Sequence, residues 1–280
     1  MTTLSIGGLA LALEGGESLR HVMMLPGMSV FVSDVEPDVH VSLDADVALR
    51  PCRQLHRFDI ADGTAECRFG IDADGVYHYD FGEGRRMCYD PRRPDYAVLS
   101  PIADPSILRF ALWTAYSMLG LVQRRVPVHS STVVCDGRAV MCLGESGTGK
   151  STHTRLWLEN ISGTYLLNDD SPILAVEGNE VAVYGSPWSG KTHCYHQERL
   201  PVAALLRLMQ RPENSIEHLG VLQSFAALQP SCPPCLAREE RCMDLLVAFI
   251  SDVISRTSVY RMGCLPDADA ARLSHKTIMG

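Results

Sequence analysis

The stretch "AVMCLGESGTGKSTHTRLWLEN", residues 139–160, constrains this chain more than any other. Ala139 to Leu143 is an apolar run suited to a buried strand, and Thr152 to Asn160 continues as a helix with Leu156 and Trp157 or Leu158 turned inward. Between them, Gly144 to Ser151 fits GxxxxGK[ST] at every fixed position. A strand, a glycine loop and a helix N-terminus in that order present free backbone N–H groups at the positive end of a helix dipole, where phosphate is attracted. The stretch reads as a nucleotide cradle. Gly144, Glu145, Ser146, Gly147, Thr148, Gly149 and Thr152 wrap the anion, Lys150 reaches the β- and γ-phosphates of ATP, and the Ser151 hydroxyl ligates Mg²⁺.

Metal at such a loop calls for an acidic partner. Asp169 and Asp170 follow the apolar stretch Tyr165 to Leu167, which places them at the end of the very next strand. Two adjacent carboxylates divide the labour: Asp169 holds Mg²⁺, directly or through water, and Asp170 accepts a proton from an attacking hydroxyl. The competing reading is a surface Asp-Asp turn. Ser171-Pro172 keeps the chain extended after the pair. His129, just before "SSTVVC", neighbours the carboxylates if that strand lies beside the loop strand. A role in proton handling and a structural role both stand at this point.

A second stretch, "GSPWSGKT" from Gly185 to Thr192, fits the same pattern in a different setting. Pro187 has no N–H to give, Trp188 is bulky where backbone has to close on phosphate, and the following "HCYHQERLP" lacks an apolar face. The expectation is a lid or opposing wall. Lys191 reaches the γ-phosphate from the side away from Lys150, the Ser189 hydroxyl and the Gly190 N–H are further donors, and Trp188 packs on substrate or shuts out water. The alternative is a tight structural turn. His193 and His196 are spaced to share a helical face, without the carboxylate or Cys support a metal needs.

From His129 through the glycine loop to Asp169 and Asp170, the order and spacing of elements resemble the catalytic domain of HPr kinase/phosphorylase. The resemblance covers roughly residues 105 to 200. It implies the HPr kinase and phosphoenolpyruvate carboxykinase-like P-loop fold, ATP with Mg²⁺, and one Asp acting as general base on a serine hydroxyl with support from the His. Two departures are visible: the N-terminal half is unlike that family's regulatory domain, and "GSPWSGKT" stands where an arginine- and glycine-containing signature belongs. That combination is similar to the smaller bacterial HPr kinase-like proteins, in which a helical segment like "LPVAALLRLMQRPENSIEHL" follows. The implied function is a kinase acting on a hydroxyl of a protein, peptide or small metabolite. A nucleotide-binding regulator without phosphotransfer and a small carboxykinase remain as alternatives. Full-length relatives are oligomeric, so self-association is an expectation carried by resemblance alone.

The rest of the chain sets the frame. Residues 1–104 are rich in short alternating runs broken at Asp62-Gly63 and Asp74-Gly75, the mark of a β-rich region with hairpins. Residues 105–280 form the catalytic region, α/β in character with a mostly helical tail. The apolar segment Ile107–Val122 is short for a membrane span and carries Arg109. Asp104 and Pro105 look like an N-cap and first helical residue, which makes it a buried helix. A net charge of −8 argues against nucleic acid or anionic lipid as partner. The ten cysteines are scattered. Only Cys232 and Cys235 have a CxxC spacing, and with no second ligand pair they read as a loop. The N-terminus lacks a basic residue before its apolar run, so the expected setting is the cytoplasm, with reduced thiols.

Overall fold

The computed structural model describes residues 1–280 except 61, 62, 64 and 191. The chain is mixed α/β and divides into two compact units, Met1–Gln123 with Pro234–Leu245, and Arg124–Pro233 with Leu246–Gly280.

In the first unit, β1 (Thr2–Ile6), β2 (Leu9–Glu14), α1 (Glu17–Met24), β3 (Val32–Ser33), β4 (Val39–Ser42), β5 (Arg53–Ile60), β6 (Ala65–Ile71), β7 (Tyr77–Asp80), β8 (Arg86–Tyr89) and β9 (Tyr96–Leu99) precede α2 (Pro105–Val122). The strands make one sheet in the order β3-β1-β2-β4-β9-β8-β7-β6-β5. Burial alternates along β4, β7 and β9, as it does when one sheet face is covered. The Asp74-Gly75 turn joins β6 to β7 with Gly75 at φ 81°, whereas Asp62 of the other expected turn lies outside the described residues. The run "SVFVS" is only briefly extended, passing through a 3-10 turn over Met28–Phe31 before the two residues of β3.

Helix α2 starts where expected. The Asp104 carboxylate accepts from the N–H groups of Ser106 and Ile107 at 2.9 and 3.0 Å, a cap that contributes on the order of 1 kcal/mol. It is buried over most of its length and packs on β8, β9 and α1. It therefore joins the first unit, and the division falls at Gln123/Arg124 instead of at 104/105. Among the described residues no helix is long and apolar enough to cross a membrane.

The second unit contains β10 (Arg125–Pro127), β11 (Ser130–Cys135), β12 (Arg138–Leu143), α3 (Lys150–Asn160), β13 (Tyr165–Asn168), β14 (Ile173–Glu177), β15 (Glu180–Tyr184), β16 (Arg199–Gln210), β17 (Ser215–His218) and α4 (Val221–Leu228). Then come α5 (Glu240–Arg256), which runs through the Leu245/Leu246 division, β18 (Ser258–Cys264) and α6 (Ala268–Met279). The sheet order is β10-β14-β15-β16-β12-β11-β13, and β18 pairs with β16 and β17. Asp136 and Gly137, at φ 49° and 69°, make the tight turn between β11 and β12.

The expected helix over "LPVAALLRLMQRPENSIEHL" is instead β16 and β17. A short continuous apolar run fits a buried helix or a strand buried on both faces equally well. Pairing decides it, because Ala204 to Arg207 run parallel between β12 and β18 and those backbone groups complete both ladders. The helical tail is thus confined to α4, α5 and α6, with β18 between the last two. Helices α3 and α6 pack together, and Trp157 sits fully buried among Val133, Val140, Cys142, Leu206 and Met262.

Candidate phosphate-loop site

Strand register explains why His129 reaches the glycine loop. Ser130 pairs with Leu143, so the residue before one strand stands opposite the residue after the other, and His129 faces Gly144. The chain beyond β13 runs alongside: the Ser130 N–H donates to the Asp170 carbonyl at 3.0 Å and the Val128 N–H to that of Pro172, also at 3.0 Å. The condition set by the sequence, that the His129 strand lie beside the loop strand, is met.

The loop has the backbone such a cradle requires. Gly144 has φ 155°, and a Cβ there would run into the Thr148 hydroxyl. Glu145, Ser146 and Gly147 are exposed, and Lys150 opens α3 with Gly149 as its cap. The Lys150 ammonium turns back into the loop, donating to the carbonyls of Gly144 and Glu145 at 2.9 and 3.1 Å and to His129 Nε2 at 2.9 Å. Burial holds this lysine below its ordinary range, with the nearby Asp170 charge opposing the shift.

The two carboxylates have different surroundings. Asp170 Oδ1 lies 3.3 Å from His129 Nδ1. With Nε2 accepting from the ammonium, the ring proton belongs on Nδ1 and points at Asp170. Asp169 is buried, and its Oδ1 accepts from the Ser131 hydroxyl at 2.8 Å. Ser131 is 2.9 Å from Thr154 Oγ1, which in turn donates to the Ser151 carbonyl. Asp169 is thereby tied to the first turn of α3, the turn that carries the exposed Ser151. A serine hydroxyl and a carboxylate are the hard oxygen donors Mg²⁺ takes, with phosphate and water completing its shell. The residues present therefore fit the ion. Among the described residues, no group of three or more His, Cys, Asp and Glu comes together as a metal site.

No family model and no curated protein matches this chain. Among solved structures, the Hpr(Ser) kinase/phosphatase from Coxiella burnetii is similar to it, at a TM-score of 0.31 and 14% identity, over 54% of this chain and 92% of that one. A likeness that low carries no weight for fold or activity.

The second glycine stretch is not a second cradle. Among the described residues no helix directly follows it, and His193 and His196 share no helical face. Its role is to clamp the acidic pair. The Gly190 N–H donates to the Asp169 carbonyl at 3.1 Å, and the Ser171 N–H donates to the Trp188 carbonyl at 3.1 Å. The Ser186 hydroxyl donates to the Ser171 carbonyl at 2.6 Å. The two donors expected to face a substrate are therefore occupied, since the Ser189 hydroxyl binds the Thr192 carbonyl and Gly190 binds Asp169. Trp188, at 3% exposure, is packed inside the protein. Lys191 lies outside the described residues.

Four further residues complete the site. Ser131 and Thr154 hold Asp169 as described. Asn168 Oδ1 accepts from the N–H groups of Asp170 and Ser171 and so shapes the turn that carries the pair. Arg207 on β16, opposite Leu143 in the register, donates to Glu145 Oε1 of the loop at 2.6 Å. An Asn before an acidic pair is a turn-former by type. The Arg207 position could be read only once β16 was known to lie beside β12. Cys232 and Cys235 are both buried, and burial pushes each thiol up to about 12.

Proposed function

We propose that this protein is an ATP- and Mg²⁺-dependent phosphotransferase with an alcohol group as acceptor, acting on a serine of a protein or peptide or on a small hydroxyl metabolite. The observation that supports it most is the contact series Asp170–His129–Lys150, which joins the acidic pair to the lysine of the phosphate loop. Loop N–H groups and Lys150 bind the phosphates. Ser151 and Asp169 hold Mg²⁺, which supplies charge neutralisation at the transferring phosphoryl group. Asp170, oriented by His129, takes the proton of the attacking hydroxyl. Gly185–Gly190 holds the turn bearing both carboxylates. We place the reaction in the cytoplasm, in keeping with ten free cysteines.

The test is transfer of label from [γ-³²P]ATP to a serine peptide library and a hydroxyl-metabolite panel with Mg²⁺. Transfer by the wild type and its loss in Asp170→Asn supports the reading. Equal transfer by both proteins overturns the base assignment. Mg-ATP binding with no transfer to any acceptor or to water returns the protein to a nucleotide-binding regulator.

A further inference from the structure

The phosphate loop has two sides. On the β11 side stand His129 and the carboxylates of Asp169 and Asp170. On the opposite side, past β16, residues at the ends of β16 and β18 enclose a cavity of about 410 Å³ together with the loop and α3. Thr152, His153 and Leu156 line it from the helix, Gln210 from β16, and Cys264 and Pro266 from the end of β18. This volume falls within the roughly 300–1,000 Å³ of small-ligand pockets, and its wall mixes apolar surface with a few polar groups in the same way.

One of those polar groups lacks a partner. His153 is 98% buried, its exposure being 2%, and Nδ1 makes no hydrogen bond among the described residues. The other ring nitrogen, Nε2, faces the Trp157 N–H at 3.3 Å and the Ser274 hydroxyl at 3.0 Å. The Trp157 N–H also reaches the Ser274 hydroxyl, at 2.9 Å, and that hydroxyl reaches the Ala270 and Ala271 carbonyls, so the whole network is satisfied on the Nε2 side and Nδ1 alone is left over.

Polarity along the loop does the rest. A triphosphate whose γ-phosphate is directed at Asp170 and His129 runs back across the loop, and its other end emerges on the far side, over the start of α3. We infer that this cavity takes the nucleoside end of the nucleoside triphosphate, between the start of α3 and the ends of β16 and β18; the inference rests on the phosphotransferase reading above. It assigns the base site to residues outside the glycine motif, on the β16 and β18 side of the sheet.

The experiment compares binding of Mg-ATP and Mg-tripolyphosphate to the full chain by calorimetry, in the wild type and in Cys264→Trp, which fills the cavity. The expected result is ATP binding at least about 10-fold tighter than tripolyphosphate in the wild type. In Cys264→Trp that advantage is lost, while tripolyphosphate affinity stays within about twofold. A second arm uses the wild type alone. ATP should slow iodoacetamide labelling of the half-buried Cys264, tripolyphosphate should not, and the exposed Cys52 should be unaffected by either. Equal affinity for the two ligands, or Cys264 labelling that ATP leaves unchanged, overturns the base site while leaving the phosphate cradle standing. Failure of both ligands to bind overturns the cradle and this inference with it.

Discussion

Lys150 Nζ and His129 Nε2 stand 2.9 Å apart, although one residue opens a helix and the other precedes a strand. The pairing follows from the antiparallel register of β11 and β12, and it places the loop cation within one imidazole ring of Asp170.

Lys150→Met separates binding from stability. Burial depresses the lysine below its ordinary 10.5, so between the folded value and 10.5 the unfolded chain carries more protons than the folded one. Stability therefore rises with pH through that interval, and below it the folded protein bears the full cost of a buried cation. The variant should keep or raise its melting temperature at neutral pH. It should bind ATP more weakly by roughly 10- to 150-fold, the loss expected for hydrogen bonds from a charged group. Thermal unfolding and calorimetry on one preparation check both halves, and a fall in melting temperature contradicts the burial argument.

Gly190→Ala tests the clamp. A Cβ at this position would sit 2.5 Å from the Asp169 carbonyl oxygen and 3.3 Å from the Asp170 Cβ, so the turn bearing both carboxylates has to shift. Overpacking of this kind costs about 1–3 kcal/mol. Turnover should fall on the order of 10²-fold, since a displacement of about 1 Å at a reacting group has that effect. Wild-type turnover in this variant would show that the second glycine stretch does not position the pair.

The Arg207 and Glu145 pair bears on the charge of the loop. Arg207 is largely buried beside the loop and holds the exposed Glu145 carboxylate at 2.6 Å. Without the guanidinium, that carboxylate is left facing an incoming triphosphate. Arg207→Met should weaken ATP binding about 10-fold, and adding Glu145→Gln should restore most of the loss. Additive losses in the double variant, measured by calorimetry, would mean the two side chains act separately.

His153 sets an acid limit. Burial pushes it down to about 4 from an ordinary 6.5, so the neutral ring is the folded form. Between those values the unfolded chain binds the extra proton, and stability is lost as pH falls from about 6.5 towards about 4. His153→Phe should flatten that part of a melting temperature against pH profile. An unchanged slope would assign the acid sensitivity elsewhere.

Much of the site is written locally in the chain. The strand, loop and helix around Gly144–Ser151 depend on a period and on glycine placement within about twenty residues, as does the Asp104 cap of α2. What stays hidden depends on pairing across long separations. β16 read as a helix because its apolar run has no period until β12 and β18 lie on either side. Arg207, Ser131 and Thr154 enter the site only through that sheet. The contacts of Gly190 and Trp188 with the Asp169–Ser171 turn stay hidden for a related reason: nothing local shows that their backbone groups bind that turn.

The central claim is that Asp170 acts in phosphoryl transfer at a loop that binds ATP through other groups. It is tested most directly by measuring Mg-ATP affinity and γ-phosphate turnover, with water or serine peptide as acceptor, on wild type and Asp170→Asn side by side. The account predicts affinities within a few-fold of each other and turnover lowered about 10²- to 10⁴-fold in the variant. Equal turnover in the two proteins would contradict it.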